Sequence, residues 1–221
     1  VRNDAHLLLT HAPDALLSLR AVFSDLQGGG ARYPLVISGP EGLFEAVRDV
    51  SEPVTRFFER MALGPFSPSD TGEAMRAPLA AADSPLRVDD AAVEILWRLT
   101  AGHPFFVAFA MRDIVAGVHD QRRLTGEMIE RAWPDIARHL AAERFAVEWQ
   151  SATAAEGDVL RALAADRRTA PLTQTIGKSG TALLQRLLRK GLIVRSGRGE
   201  YQLYHPLFDG YVRALEGNGS N

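Results

Sequence analysis

Residues 181–204, TALLQRLLRKGLIVRSGRGEYQLY, decide how this chain folds. From Thr181 to Lys190 the spacing predicts a helix that buries Leu183, Leu184, Leu187 and Leu188 on one side, with Gly191 as its terminator. Leu192-Ile193-Val194-Arg195 and Glu200-Tyr201-Gln202-Leu203-Tyr204 are two strand-forming runs. Ser196-Gly197-Arg198-Gly199 between them is a turn, so the pair reads as a β-hairpin.

Working outward, Glu156 to Ala165 predicts one helix and Thr173 to Gly177 a short one, while Pro206 to Leu215 predicts a closing helix. Three helices followed by a two-stranded hairpin is winged-helix architecture, assigned here to residues 151–216. Residues 217–221 are expected to be a disordered tail. Between Pro171 and Glu216 there are seven bases and three acids, a net +4, whereas the remainder carries 18 bases and 24 acids, or −6. A basic module behind an acidic body is what a nucleic-acid-binding tail needs, although scattered surface Arg and Lys give the same asymmetry.

Residues 67–150 read as helices only. Ser67 is placed to cap a helix with Pro68 in its first turn. Val88 to Leu99 has Ala92, Ile95, Leu96 and Leu99 on one face, and Pro104 opens the nearly all-apolar stretch Phe105 to Met111. A long amphipathic stretch from Thr125 to Gln150 is expected to bend near Pro134. Residues 1–66 are different. A helix over Pro13–Gln27 stops at Gly28-Gly29-Gly30, and Pro34-Leu35-Val36-Ile37-Ser38 is a continuous apolar run before Gly39-Pro40. Such a run suits a strand buried on both faces of a parallel sheet. Helices are expected over residues 41–50 and 52–59. The fold class is therefore mainly α with a small parallel-sheet remnant.

Composition removes several functions. The chain has no Cys, which excludes disulfide scaffolds, thiolate zinc sites and cysteine nucleophiles and fits a reducing compartment. No run of eighteen apolar residues exists and the first residues lack a signal-peptide layout, so a cytoplasmic protein with no membrane partner is expected. His6 and His11, five apart, do not share a helical face, so no metal site is expected. There is no Gly-x-Ser-x-Gly elbow for a serine nucleophile.

The order of these pieces is a buried strand ending Val36-Ile37-Ser38-Gly39, a helix carrying TRFFERMALGPF, a helical region with AGHPFF, and the winged helix. It resembles the second half of the AAA+ ATPases related to origin-recognition proteins and the STAND signalling ATPases. The resemblance implies a partial nucleotide-binding core over 1–66, a helical lid over 67–150 and a winged helix over 151–216. Asn3-Asp4-Ala5-His6-Leu7-Leu8 resembles the family's Asp-Glu-Ala-His-Leu-Leu, with Asn3 at the metal-holding position and Asp4 where the water-orienting acid belongs. The same residues also read as a frayed terminus. Ser38 falls at the family's sensor position, and is equally the ordinary way to leave a strand. Arg56, with Arg60 as second choice, resembles the arginine that reaches a neighbouring subunit's nucleotide, and also reads as a helix-surface Arg. Gly102-His103-Pro104 resembles the family's Gly-x-Pro motif, whose proline packs near the nucleotide base. It also reads as a helix start with Pro104 in the first turn.

A phosphate-binding loop, Gly-x-x-x-x-Gly-Lys-Ser/Thr, is not found in the sequence. Gly28-Gly29-Gly30 lacks the Lys, and Gly177-Lys178-Ser179 lies in the last domain without a preceding strand. The chain thus reads as truncated relative to the family. ATP and Mg²⁺ are expected only in the context of a complete core, and no ATP hydrolysis by this chain alone. The implied function is the regulatory C-terminal part of a switch ATPase, coupling nucleotide state to DNA or protein contacts. Its partners would be an upstream ATPase core, a neighbouring subunit, or DNA met by Arg186, Arg189, Lys190, Arg195 and Arg198. A plain winged-helix DNA-binding protein and a protein-interaction module are the alternatives. Only Arg186 and Lys190 are spaced for one face of the second-last helix, a thin set for reading bases.

Overall fold

The computed structural model describes residues 12, 14–30, 32, 35–39, 43–50, 56, 58–118, 121–165, 180–197 and 199–217. They fall into two units, Val1–Leu63 and Gly64–Asn221.

In the first unit α1 spans Asp14–Gly28 and α2 spans Leu43–Val50. Val47 of α2 is buried against Leu19, Ile37, Leu43 and Phe58. The helix α1 ends where expected, because Gly30 takes a φ of +84° that a side chain would resist. The buried strand expected over 34–38 is corrected by the structure. Residues 35–39 form no strand, and Val36 is 86% exposed. A strand buried on both faces needs neighbours to take its N–H and C=O groups, and the described residues of this unit supply none. The helix expected over 52–59 is not seen at Arg56, which sits in a turn, nor at 58–60, which are irregular.

The second unit opens with α3, Pro68–Ala81. Ser67 Oγ accepts from the Asp70 N–H at 3.1 Å while Ser67 N–H donates to the Asp70 carboxylate at 3.0 Å, a reciprocal capping box. Strand β1, Arg87–Val88, leads into α4, Asp90–Thr100, and α5 follows over Pro104–Gly117. Strand β2, Arg123–Leu124, pairs parallel with β1, Arg87 opposite Arg123 and Val88 opposite Leu124. A parallel pair of strands is thus present, but it ties two helices together and is not the run at 34–38. Helix α6, Gly126–Leu140, continues through Pro134. The expected break near that proline comes later, as a π-helical turn at Ala141–Phe145 before α7, Ala146–Gln150. A π turn rotates the following side chains relative to an α-helix, and here it delivers Phe145 to the interior.

The last elements are α8 at Ala154–Ala165, α9 at Gly180–Arg189, β3 at Ile193–Gly197, β4 at Glu200–Leu203 and α10 at Pro206–Gly217. The short helix expected at 173–177 and residues 218–221 of the expected tail lie outside the described residues, while Gly217, expected in that tail, is the last residue of α10. Strands β3 and β4 pair antiparallel, Ile193 opposite Leu203, with an irregularity between Arg195 and Gly197. Gly191, φ +69°, ends α9 and lets the Leu192 N–H reach the Leu187 carbonyl at 3.1 Å.

One hydrophobic core runs from Met75 and Leu96 through Phe106, Ile129 and Phe145 to Leu187, Ile193 and Phe208. The division expected after residue 150 falls inside this unit. Among the described residues no helix is long and apolar enough to cross a membrane, and no group of three His, Asp or Glu could hold a metal ion.

Candidate functional site

The basic end of the molecule is organised by an acid. Thr153-Ala154-Ala155-Glu156 forms a capping box at the start of α8, with Thr153 N–H donating to Glu156 Oε2 at 2.8 Å and Glu156 N–H to Thr153 Oγ1 at 3.3 Å. Glu156 is fully buried. Its Oε1 accepts from Arg186 Nε of α9 at 2.9 Å and its Oε2 from Nζ of Lys190, the residue just after α9, at 2.7 Å. Lys190 Nζ also donates to the Ser151 carbonyl at 2.6 Å. Burial pushes the Glu156 carboxyl up, but Lys190, the Thr153 N–H and Arg186 together outweigh it and hold the group at about 2. The carboxylate therefore stays charged at any neutral pH.

A second cluster joins α4 and α5 to the last elements. Gly102 and His103 connect α4 to α5, and Ala101 and Gly102 both take positive φ, +49° and +67°. Two residues upstream, the Thr100 carbonyl accepts from His205 Nε2 at 2.8 Å, while His205 Nδ1 accepts the Leu207 N–H at 3.1 Å. This bonding fixes the neutral Nε2–H tautomer. Phe106 lies under both imidazoles, 4.5 Å from His103 and 4.3 Å from His205 between ring centroids. Phe145 of the π turn lies 5.8 Å from Phe106 and 5.6 Å from Phe208. At the edge, the Tyr204 hydroxyl donates to Glu148 at 2.8 Å, and burial pushes that phenol up.

Burial, opposed by the Thr100 hydrogen bond and aided by His103, brings His205 down to about 4. His103 and Arg144 are the basic groups beside this pocket; His103 is itself lowered, by burial and then by the Arg144 charge. The folded pKa lies below the ordinary 6.5, so His205 contributes stability that is complete above about 6.5 and is lost as pH falls towards 4. The expected loss is on the order of 2 kcal/mol, allowing for partial screening. It is measured as the unfolding free energy at pH 7 against pH 4.5, wild type beside His205→Gln. Equal pH dependence in the two proteins overturns it. Glu156 titrates in a lower, separate window, below 4.5.

The residues singled out in the sequence are dispersed. Arg186 and Lys190 come together, on Glu156. Arg189 is exposed and does not join them. Arg195 is exposed on β3, its guanidinium carbon 5.8 Å from the Tyr201 ring centroid. Pro104 is exposed as the first residue of α5, directly after His103. Ser38 is exposed in the irregular segment 35–39 and Arg56 is exposed in its turn, both in the first unit. Asp4 and Arg198 lie outside the described residues. Two residues central to these clusters, Glu156 and His205, were not singled out. Thr153-x-x-Glu156 is a legible capping-box signal. His205 gave no signal, since its partner Thr100 is far away in sequence.

Known proteins are similar to parts of this chain. A family described only as a domain of unknown function (DUF8462) matches residues 142–212, from the π turn to α10. No curated protein matches. A Walker-type ATPase of Pyrococcus abyssi matches in structure with a TM-score of 0.50 at 17% identity, over 76% of this chain and 50% of its own. The chain thus spans about half the length of that ATPase. At this identity the likeness is one of fold, and a mostly helical chain with a small parallel sheet is compatible with part of such a fold.

Proposed function

We propose that this chain is the regulatory part of an ATP-dependent switch of the AAA+/STAND kind, with a helical lid at 67–150 and a winged helix at 151–216. The observation that supports it is the junction of Thr100, His103 and Phe106 with His205. Thr100, two residues before the segment resembling the family's Gly-x-Pro motif, is hydrogen-bonded to His205, and His103 of that segment packs on the same imidazole, a route by which a change at Pro104 would reach the hairpin. In this reading ATP and Mg²⁺ bind only with a complete core. There Asp4 orients water, Ser38 senses the γ-phosphate, Pro104 packs near the base and Arg56 serves a neighbouring subunit's nucleotide. The output is contact with DNA through α9 and the hairpin.

The test is amide hydrogen exchange on this chain assembled with an ATP-binding core. ATP is expected to change protection at residues 180–203 as well as around 100–106, and Pro104→Gly is expected to weaken the distant change. Exchange at 180–203 that is the same with and without ATP overturns the coupling. A protein-interaction module is the second reading, favoured by Glu156 engaging Arg186 and Lys190 and offsetting one of their two positive charges. It takes over if duplex DNA binding is undetectable at low salt.

A further inference from the structure

On α9 the two cations spaced for one face do not share the outer face. Leu183, Leu184 and Leu187 are buried, and Lys190 follows Leu183 by seven residues, close to two full turns. Lys190 thus rides beside the buried stripe, where Glu156 and the Ser151 carbonyl take two of its three protons. Arg189 lies about 200° around the helix from Leu187, at the centre of the exposed side. It makes no hydrogen bond or ion pair among the described residues. Arg186 stands between these positions. Its Nε is bound to Glu156, and its two terminal nitrogens have no hydrogen-bond partner among the described residues on a side chain 45% exposed.

We infer that α9 meets the phosphate backbone of duplex DNA through Arg189 and the outer nitrogens of Arg186, and that Glu156 withholds Lys190 from that surface. This rests on the proposed DNA contact. A guanidinium fixed through its Nε presents its other donors in one orientation, which suits a phosphate oxygen pair. Glu156 offsets one of the two positive charges it binds; Lys190 gives two of its donors to Glu156 and the Ser151 carbonyl, so the positive charge left to the cluster is presented outward by the terminal nitrogens of Arg186. Lys190 is then a structural cation, and Glu156 a positioning residue for Arg186.

The experiment is a salt titration of duplex DNA binding by fluorescence anisotropy, using the full chain, with circular dichroism and thermal melts confirming that each variant folds. The slope of log K against log salt counts phosphate contacts, about 0.9 for each. Arg189→Gln and Arg186→Gln are each expected to flatten it by about that much, and Lys190→Met to leave it unchanged. Glu156→Gln, which frees Lys190, is expected to steepen the slope and raise low-salt affinity severalfold. Where Lys190→Met is too unstable to assay, Lys190→Gln keeps a donor for the Ser151 carbonyl and serves instead. A slope flattened by the Lys190 variant as much as by Arg189→Gln overturns the inference. So does a slope that responds to Arg195→Gln but to neither α9 arginine, an outcome that leaves the DNA reading standing. If neither wild type nor Glu156→Gln binds DNA at low salt, the DNA reading itself fails and takes the inference with it.

Discussion

Phe106→Ala is expected to lower the unfolding free energy of the second unit by about 4 kcal/mol. The ring is 1% exposed. Its ring neighbours come from three separate segments of that unit: His103 and Phe105 beside it, Phe145 on the π turn, and Tyr204 and His205 at the end of the hairpin. Removing it loses the transfer free energy of a whole aromatic side chain and leaves a cavity whose walls belong to different elements and cannot all close in. Because the core is continuous, the loss is expected to move one cooperative transition and not to split it. Denaturant unfolding followed by tryptophan fluorescence and by far-ultraviolet circular dichroism checks this. Coincident curves shifted to lower denaturant support the single core. Two separated steps, one still at the wild-type midpoint, overturn it. Phe106→Leu, with a smaller cavity and an expected cost of about 1–2 kcal/mol, serves if the alanine variant does not accumulate.

Gly102→Ala is the second large effect, expected at about 3 kcal/mol. A Cβ on Gly102 would stand 2.2 Å from the Phe66 carbonyl oxygen and 3.1 Å from the Trp97 indole. That oxygen cannot retreat freely, because Trp97 Nε1 donates to it at 3.0 Å and the Phe66 N–H donates to the Gly102 carbonyl at 2.8 Å. The φ of +67° adds the ordinary left-handed cost of about 1 kcal/mol. Gly191 separates the two causes. It has nearly the same φ, +69°, but nothing lies within 4 Å of its Cβ position. Gly191→Ala is therefore expected to cost only about 1 kcal/mol. Thermal melts of the two variants decide it, and equal losses would mean that the Phe66 contact moves aside without cost.

Local features were legible in the sequence wherever they depend on neighbours within a few residues. The Ser67–Asp70 cap, the start of α5 at Pro104, the stop of α9 at Gly191 and the β3–β4 hairpin all follow from side chains acting on their own backbone turn. The run at 34–38 misled for the converse reason. Apolar composition sets what a strand would prefer, but only flanking strands make it one. The π turn at 141–145 gave no local sign, since Pro134 is the better breaker and is carried in the helix. Packing of Phe145 into the ring cluster accompanies that turn.

The sequence by itself determined which residues of α9 are basic, which are buried leucines, and that the segment carries net positive charge. Only the tertiary structure decided which of those charges face outward. Spacing gives a residue's angle around its own helix, and by that measure Arg186 and Lys190 are partners. Whether that angle points to water or to a neighbour depends on where α8 lies, and α8 brings the buried Glu156 to both. The same holds for Thr100 and His205. A carbonyl at one helix end and an imidazole at the start of another have no relation along the chain, and acquire one only when a shared core brings them within 2.8 Å. Helical periodicity is a local property of the backbone, whereas the pairing of charges and buried polar groups is fixed by contacts between elements distant in sequence.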